Sequence, residues 1–261
     1  MSPFDPYFTK LRKYLRALAL QGRLIRELAR AGAGRRGLPL RLGGGEGGGI
    51  VLREDTFVEL GHPDAGSCSL LLWTESRAFL RDGAITLVGP DIPESAGESL
   101  PFGQVLLAGG EDLTTSFQAA LERSQYVGDR IEGYMMRSVP ERVWSRVSKQ
   151  AAAGGFCFQT LGGALMALLR TEVPQVQAAE AVLVTSSAED LAPLQAMAEQ
   201  VRKIARGIKA EQLVARADGE LECTREDECP VCADKPVCDG IREILVLRKS
   251  EVGGKAATRD D

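Results

Sequence analysis

The amino-acid sequence predicts an α/β protein: a mixed sheet with packed helices, preceded by an amphipathic helix and followed by a small cysteine module. Three observations carry that prediction. Short β-branched and apolar runs separated by Gly, Pro and Asp recur from Ile50 onward, helical periodicity alternates with them further along, and four of the six cysteines crowd into residues 223–238. At 261 residues the chain can bury a sizeable core with an appendage, so disulfides are not needed to compensate for a small one.

Between Phe4 and Arg30, the apolar residues Phe8, Leu11, Leu15, Leu18 and Ile25 recur at roughly helical spacing, with Lys10, Arg12, Lys13, Arg16, Arg23, Arg26 and Arg30 among them. The spacing predicts a basic amphipathic helix over 1–30, packed on its own domain or on a neighbouring subunit; a membrane surface is the alternative use of such a face. Residues 31–49 read as a Gly-rich linker. Gly43, Gly45 and Gly48 formally spell G-x-G-x-x-G, but a dinucleotide loop must open a helix, and IVLREDTFVEL after it reads as strand. Residues 50–215 form the α/β domain. Strands are expected over TFVEL (56–60), CSLLLW (68–73), AITLVG (84–89), GQVLLA (103–108) and AVLVTSS (181–187). Helices are expected over LTTSFQAALERSQYV, PERVWSRVSKQAAAGG and QTLGGALMALLRTE, and Ser187 is placed to cap AEDLAPLQAMAEQVRKIARGI. A metal module over 216–240 and a tail over 241–261, whose last stretch EVGGKAATRDD is expected to be disordered, complete the chain.

A formal charge of -4 with four Tyr and two Trp gives no case for nucleic acid. No apolar run approaches the roughly 18 residues of a membrane span, and the first residues lack a signal-peptide cleavage pattern. A cytoplasmic location without a transmembrane segment is therefore expected. In a reducing compartment, clustered thiols are metal ligands or redox groups more often than bridges.

Cys223, Cys229, Cys232 and Cys238 stand in the spacing C-x5-C-x2-C-x5-C. The central Cys-x-x-Cys turn lets two sulfurs converge on one metal, and the outer arms are long enough to bring in the other two. Four thiolates suit a [4Fe-4S] cluster or structural zinc, with a thiol pair holding no metal as a third option; the spacing does not choose among them. Cys68 and Cys157 lie in apolar runs and are expected to be buried and inert. His62, the only histidine, sits in the turn-like GHPD, where a structural or solvent-facing imidazole is expected.

Three stretches carry a resemblance: AITLVGPDIPE at 84–94, SLPFGQVLLAGGEDL at 99–113, and QYVGDRIEGYMMRSVPERVWSRVSKQAAAGGF at 125–156. Their linked order resembles the middle domain of acetyl-CoA synthase, from the carbon monoxide dehydrogenase/acetyl-CoA synthase complex, over roughly residues 50–240. The resemblance implies an α/β module that gives a tryptophan and arginines to a coenzyme A site. The matching residues are Trp144 with Arg130, Arg137, Arg142 and Arg146. An indole can stack on adenine, and guanidinium groups bind phosphate through paired donors. On the expected helix Arg142 and Arg146 share a face while Trp144 points away from both.

The resemblance also favours [4Fe-4S] over zinc and matches Cys229 and Cys232 to the family's first Cys-x-x-Cys pair. No Cys-x-Cys occurs in the sequence, so the family's nickel centre is not expected from this chain alone, nor is catalysis by it alone. The expected role is a stand-alone accessory subunit that binds CoA or acyl-CoA and a [4Fe-4S] cluster, for electron transfer or assembly in anaerobic acyl-CoA or one-carbon metabolism. Its partners would be other subunits of such a complex and a possible redox partner. The alternatives are a non-catalytic scaffold with structural zinc and a metal-centre maturation factor.

Overall fold

The chain starts with helix α1 (Asp5–Leu20) and strands β1 (Ile25–Leu28), β2 (Thr56–Leu60), β3 (Ser67–Thr74), β4 (Ile85–Val88), β5 (Ser99–Leu100) and β6 (Phe102–Gly109). Helix α2 (Gln118–Ser124), strands β7 (Tyr134–Val139) and β8 (Arg142–Ser148), helices α3 (Lys149–Ala153) and α4 (Phe158–Glu172), strand β9 (Ala178–Val184) and helix α5 (Ala188–Ala217) follow. The computed structural model describes residues 2–28, 50–139, 142–217, 240 and 243. The Gly43–Gly48 motif, Cys223, Cys229, Cys232, Cys238 and the tail lie outside the described residues. One unit spans Met1–Ala205 and a second Arg206–Asp261; the described part of the second is the end of α5 with residues 240 and 243.

The expected mixed α/β architecture is present, built on two sheets among the described residues. The first runs β1-β4-β9-β6-β3, with β4/β9 and β6/β3 parallel and the other pairs antiparallel. Strands β3, β6 and β9 are buried along their whole length, which is why they read as unbroken apolar runs rather than alternating ones. The second runs β5-β2-β8-β7, with β5/β2 parallel and the rest antiparallel.

Helices cover both faces of the first sheet. Helix α4 approaches β4 so closely that a Cβ at Gly162 would stand 3.0 Å from the Ile85 side chain. Ile85 pairs with Ala181, so α4 covers the Ala181 face of β9. On the other face, a Cβ at Gly103 would meet Leu191 of α5 at 2.7 Å. Ser187 accepts the Asp190 N–H at 3.2 Å, the cap its position predicted.

The helix expected over 1–30 stops at Leu20. Gly22 adopts φ 78°, its N–H reaches Ala19 O and the Arg23 N–H reaches Leu18 O, each at 3.0 Å. That Schellman turn reverses the chain, and Ile25 enters the edge strand β1 instead of the helical stripe. Phe8, Leu11 and Leu18 are buried as predicted. Two of the basic residues serve the domain itself: Arg12 donates to both oxygens of Glu180 at 2.6 and 2.5 Å, and Arg23 pairs with Asp190 at 3.0 Å, while Lys13 and Arg16 are exposed and Arg30 lies outside the described residues. Glu180 sits fully buried on β9 and also accepts from Arg81 Nη2 at 3.2 Å and from the Arg81 N–H at 3.0 Å. A buried carboxylate needs such complete pairing.

The helix expected over 140–155 is also corrected. Residues Arg142–Ser148 are strand β8, and of the described residues in this span only Lys149–Ala153 are helical, capped by Ser148 on the Ala151 N–H at 3.1 Å. Val143, Ser145 and Val147 are wholly buried while the residues between them are not, which is the period of two that marks a half-buried strand. Of the two outlying cysteines, Cys68 is buried, but Cys157 is only half-buried at the start of α4. Among the described residues no helix is long and apolar enough to cross a membrane.

Candidate functional site

The second sheet puts its alternate residues on two different surfaces. Tyr134 pairs with Val147 and Met136 with Ser145 on the core side, where the Tyr134 hydroxyl donates to Ser145 Oγ at 2.7 Å. Burial drives the Tyr134 phenol well above its ordinary pKa, against the lowering effect of the Ser145 contact. The other surface carries Met135 opposite Arg146 and Arg137 opposite Trp144. Because β8 is a strand, Arg142, Trp144 and Arg146 lie on one face, contrary to the helical expectation that turned Trp144 away.

On this surface the guanidinium carbons of Arg137 and Arg146 each stand 5.1 Å from the centre of the Trp144 ring. Both are within cation–π range. His62 meets the same indole edge-on, with ring centres 5.8 Å apart and planes at 85°. The His62 ring belongs to a turn closed by the Ala65 and Gly66 N–H groups on its carbonyl, and its Nδ1 accepts the Asp64 N–H at 3.3 Å. Gly61 makes the turn possible: its φ is 69°, and a Cβ there would fall 2.2 Å from Val143 O.

Glu59 on β2 is the register partner of Arg146 on β8, and Arg146 Nε donates to its Oε1 at 2.9 Å. The two side chains are 19% and 17% exposed, which makes this a well-shielded pair rather than a solvent-screened surface contact. Arg53, Glu59, His62, Glu98, Trp144 and Arg146 line an open cavity of about 390 Å³. Its volume is in the range of small-molecule sites. The Trp144 Nε1–H is buried and has no hydrogen-bond partner among the described residues.

Of the five residues named from sequence for a cofactor, the structure gathers Arg137, Trp144 and Arg146. Arg142 is on the same strand face and exposed. Arg130 is elsewhere, in the 3-10 turn Val127–Arg130, where it ion-pairs with Glu172 of α4. That turn packs against the opposite face of the sheet, since a Cβ at Gly128 would meet Met136 and Tyr134. Sequence reasoning missed Glu59, and it gave His62 a structural or solvent-facing place without the contact to Trp144. The available signal was the two-residue alternation of RVWSRVS, which would have put Arg146 on a strand and opened it to a cross-strand carboxylate. Chemically, a flat indole with two guanidinium groups suits a ligand that has a planar ring and anionic groups. Among the described residues no group of three or more His, Cys, Asp and Glu is placed to hold a metal.

Residues 38–190 match the family described as CO dehydrogenase/acetyl-CoA synthase complex beta subunit. The chain is 32% identical over 143 residues to the acetyl-CoA decarbonylase/synthase complex subunit beta 2 of Methanosarcina thermophila, covering 53% of this chain and 30% of that subunit. It is 29% identical over 134 residues to the subunit beta of the corresponding complex in Methanothermobacter thermautotrophicus, covering 51% of this chain and 28% of that one. It is also 32% identical over 143 residues to the carbon monoxide dehydrogenase/acetyl-CoA synthase subunit alpha of Moorella thermoacetica, covering 53% of this chain and 19% of the relative. The chain thus matches less than a third of the length of each of these relatives. Trp144, Arg137, Arg146, Glu59 and His62 all fall inside the matched family region.

Proposed function

The chain belongs to the CO dehydrogenase/acetyl-CoA synthase complex beta subunit family, and from that premise we propose that it is an acetyl-CoA-synthase-like accessory subunit of anaerobic one-carbon metabolism. Its ligand is CoA or an acyl-CoA, recognised at the Trp144 surface, and its partners are other subunits of such a complex. The observation that supports this most directly is the placing of the Arg137 and Arg146 guanidinium groups against one indole, beside a cavity of about 390 Å³. The indole contributes apolar surface for the adenine ring, and the guanidinium groups offer planar forks of N–H donors for phosphate. Arg142, exposed at the start of the same strand, adds positive charge near the approach to that surface. Glu59, paired with Arg146, and Glu98 put two carboxylates at the cavity, which keeps the site from being a general anion sink.

The cysteine set Cys223, Cys229, Cys232 and Cys238 has the donor chemistry of a [4Fe-4S] cluster, four thiolates around one Cys-x-x-Cys turn. Such a cluster would supply one-electron transfer. The chain's own part would be to hold it through these four sulfurs, with Glu222, Glu226, Asp227 and Glu228 adding negative charge that lowers its potential.

Calorimetric titration of the anaerobically purified protein with CoA tests the first assignment, with saturable binding that Trp144→Ala weakens as the expected result. Absence of binding in the wild-type protein would refute it. Metal and sulfide analysis of the same preparation tests the second: about four irons per chain, lost on Cys229→Ser, supports the cluster, and one zinc refutes it.

A further inference from the structure

Glu59 and Arg146 are the least explained pair at the cavity, because a carboxylate beside a phosphate site opposes the ligand's charge. Two features of the pair account for it. First, Glu59 is fixed by backbone register, since it is the direct partner of Arg146 across the β2–β8 ladder. Second, the 2.9 Å bond engages Nε, on the flank of the guanidinium, and not its terminal Nη1/Nη2 edge. That terminal edge is one of those that fork a phosphate or carboxylate. The Trp144 ring, 5.1 Å from the Arg146 guanidinium carbon, adds a second contact on the same group.

We propose that Glu59 is a positioning residue, holding the Arg146 guanidinium against Trp144 with its terminal edge presented to the cavity for an anionic group of the ligand. The proposal rests on the reading of the cavity as a site for a phosphate-bearing ligand. An arginine left to itself samples many rotamers, and binding must then freeze them; one held in advance has already lost that freedom. The carboxylate therefore raises affinity through order although its charge works in the opposite direction.

The decisive comparison is between Glu59→Gln and Glu59→Ala. Both variants remove the negative charge, and only the glutamine keeps an oxygen able to accept the Arg146 Nε–H. In calorimetric titration with CoA, Glu59→Gln should bind roughly two- to tenfold more tightly than Glu59→Ala, the range set by freezing one long side chain. Equal affinities, or tighter binding by Glu59→Ala, would overturn the proposal. A ligand-free measurement separates this from the parent reading. The Arg146 Nε–H resonance in nitrogen-edited NMR, assigned by its loss in Arg146→Lys, should be exchange-protected in wild type and Glu59→Gln and lost in Glu59→Ala. Persistence of the protected signal in Glu59→Ala overturns positioning even if CoA binds. Failure of wild type to bind CoA, with the resonance behaving as expected, overturns the ligand assignment and leaves the hold on Arg146 established.

Discussion

Arg137 and Trp144 face each other across the β7–β8 ladder, and the guanidinium carbon of the first stands 5.1 Å from the ring centre of the second. The contact lies on the outer face of a sheet whose inner face is packed by Tyr134, Val143 and Val147, so it is separable from the core. An exposed cross-strand pair of this type contributes about 0.2–1 kcal/mol to folding. Arg137→Ala should therefore lower the unfolding free energy by no more than about 1 kcal/mol in a urea titration. A charge-assisted contact to a phosphate is worth about 1.5–3 kcal/mol, so the same change should weaken CoA binding by roughly tenfold or more. Equal small effects on both would show Arg137 to be a structural neighbour of Trp144 only.

The legible parts of the fold were the strands buried on both sides, because CSLLLW, GQVLLA and AVLVT can hardly be anything but interior, and the long capped helix after Ser187. The sequence misled where a short element depends on a distant partner. Ile25–Leu28 has no strand signature of its own and becomes β1 only because β4 offers an edge. In RVWSRVS the Trp and two arginines dominate the eye, while the buried set Val143, Ser145 and Val147 contains a serine that weakens the apolar alternation. That serine is satisfied by Tyr134, a partner no local reading supplies. The site was legible in the same measure. Trp144, Arg137 and Arg146 came from the resemblance, whereas Glu59 and the contact of His62 with Trp144 depend on β2 lying beside β8, a pairing of residues 87 apart.

Gly61 links the stability of the domain to the shape of the cavity. Its left-handed φ is 69°, and Val143 O lies 2.2 Å from where a Cβ would stand, so no side chain fits without moving β8. Gly61→Ala should cost about 2 kcal/mol or more, the combined effect of strain at positive φ and steric displacement of backbone. Since Val143 immediately precedes Trp144, the displaced strand should also blue- or red-shift the Trp144 emission, read against a Trp73→Phe background. Gly97, also at positive φ but with open space around its Cβ position, should show the smaller stability loss of strain alone.

The buried Glu180 carboxylate supports a test of how α1 is attached. Arg12 from α1 and Arg81 from the loop before β4 both bind it, while Arg12 is one-third exposed and Arg81 nearly half. With one arginine removed, the other still compensates the charge, and Arg12→Ala should cost about 1–3 kcal/mol. With both removed, the buried carboxylate keeps only the main-chain N–H of residue 81 and has no countercharge, and the double variant should be less stable than the sum of the two single losses. Strict additivity in urea unfolding would mean that the two arginines act on Glu180 independently. Hydrogen exchange should show α1 opening more readily in Arg12→Ala, whereas loss of Arg81 alone should leave its protection closer to wild type.

Alkaline pH should unfold the domain through two phenols. Burial raises the pKa of Tyr134, and burial, Asp190 and Cys68 raise that of Tyr14, both above the ordinary value of 10.0. The folded state thus holds two protons that the unfolded chain gives up near pH 10, so protons bound in the native state exceed those bound when unfolded. Their stabilisation is fully present below that pH and falls as pH rises toward the folded pKa values, by about 1.4 kcal/mol per pH unit for each phenol. Unfolding free energies measured from about pH 9 to about pH 11 should accordingly decline, and the tyrosinate absorbance of these two residues should rise together with unfolding rather than before it. Tyr134→Phe costs stability at neutral pH by exposing the need of Ser145 for a partner, but it should make the alkaline decline shallower by one phenol's share. A decline of unchanged slope in Tyr134→Phe would place the alkaline sensitivity in other groups.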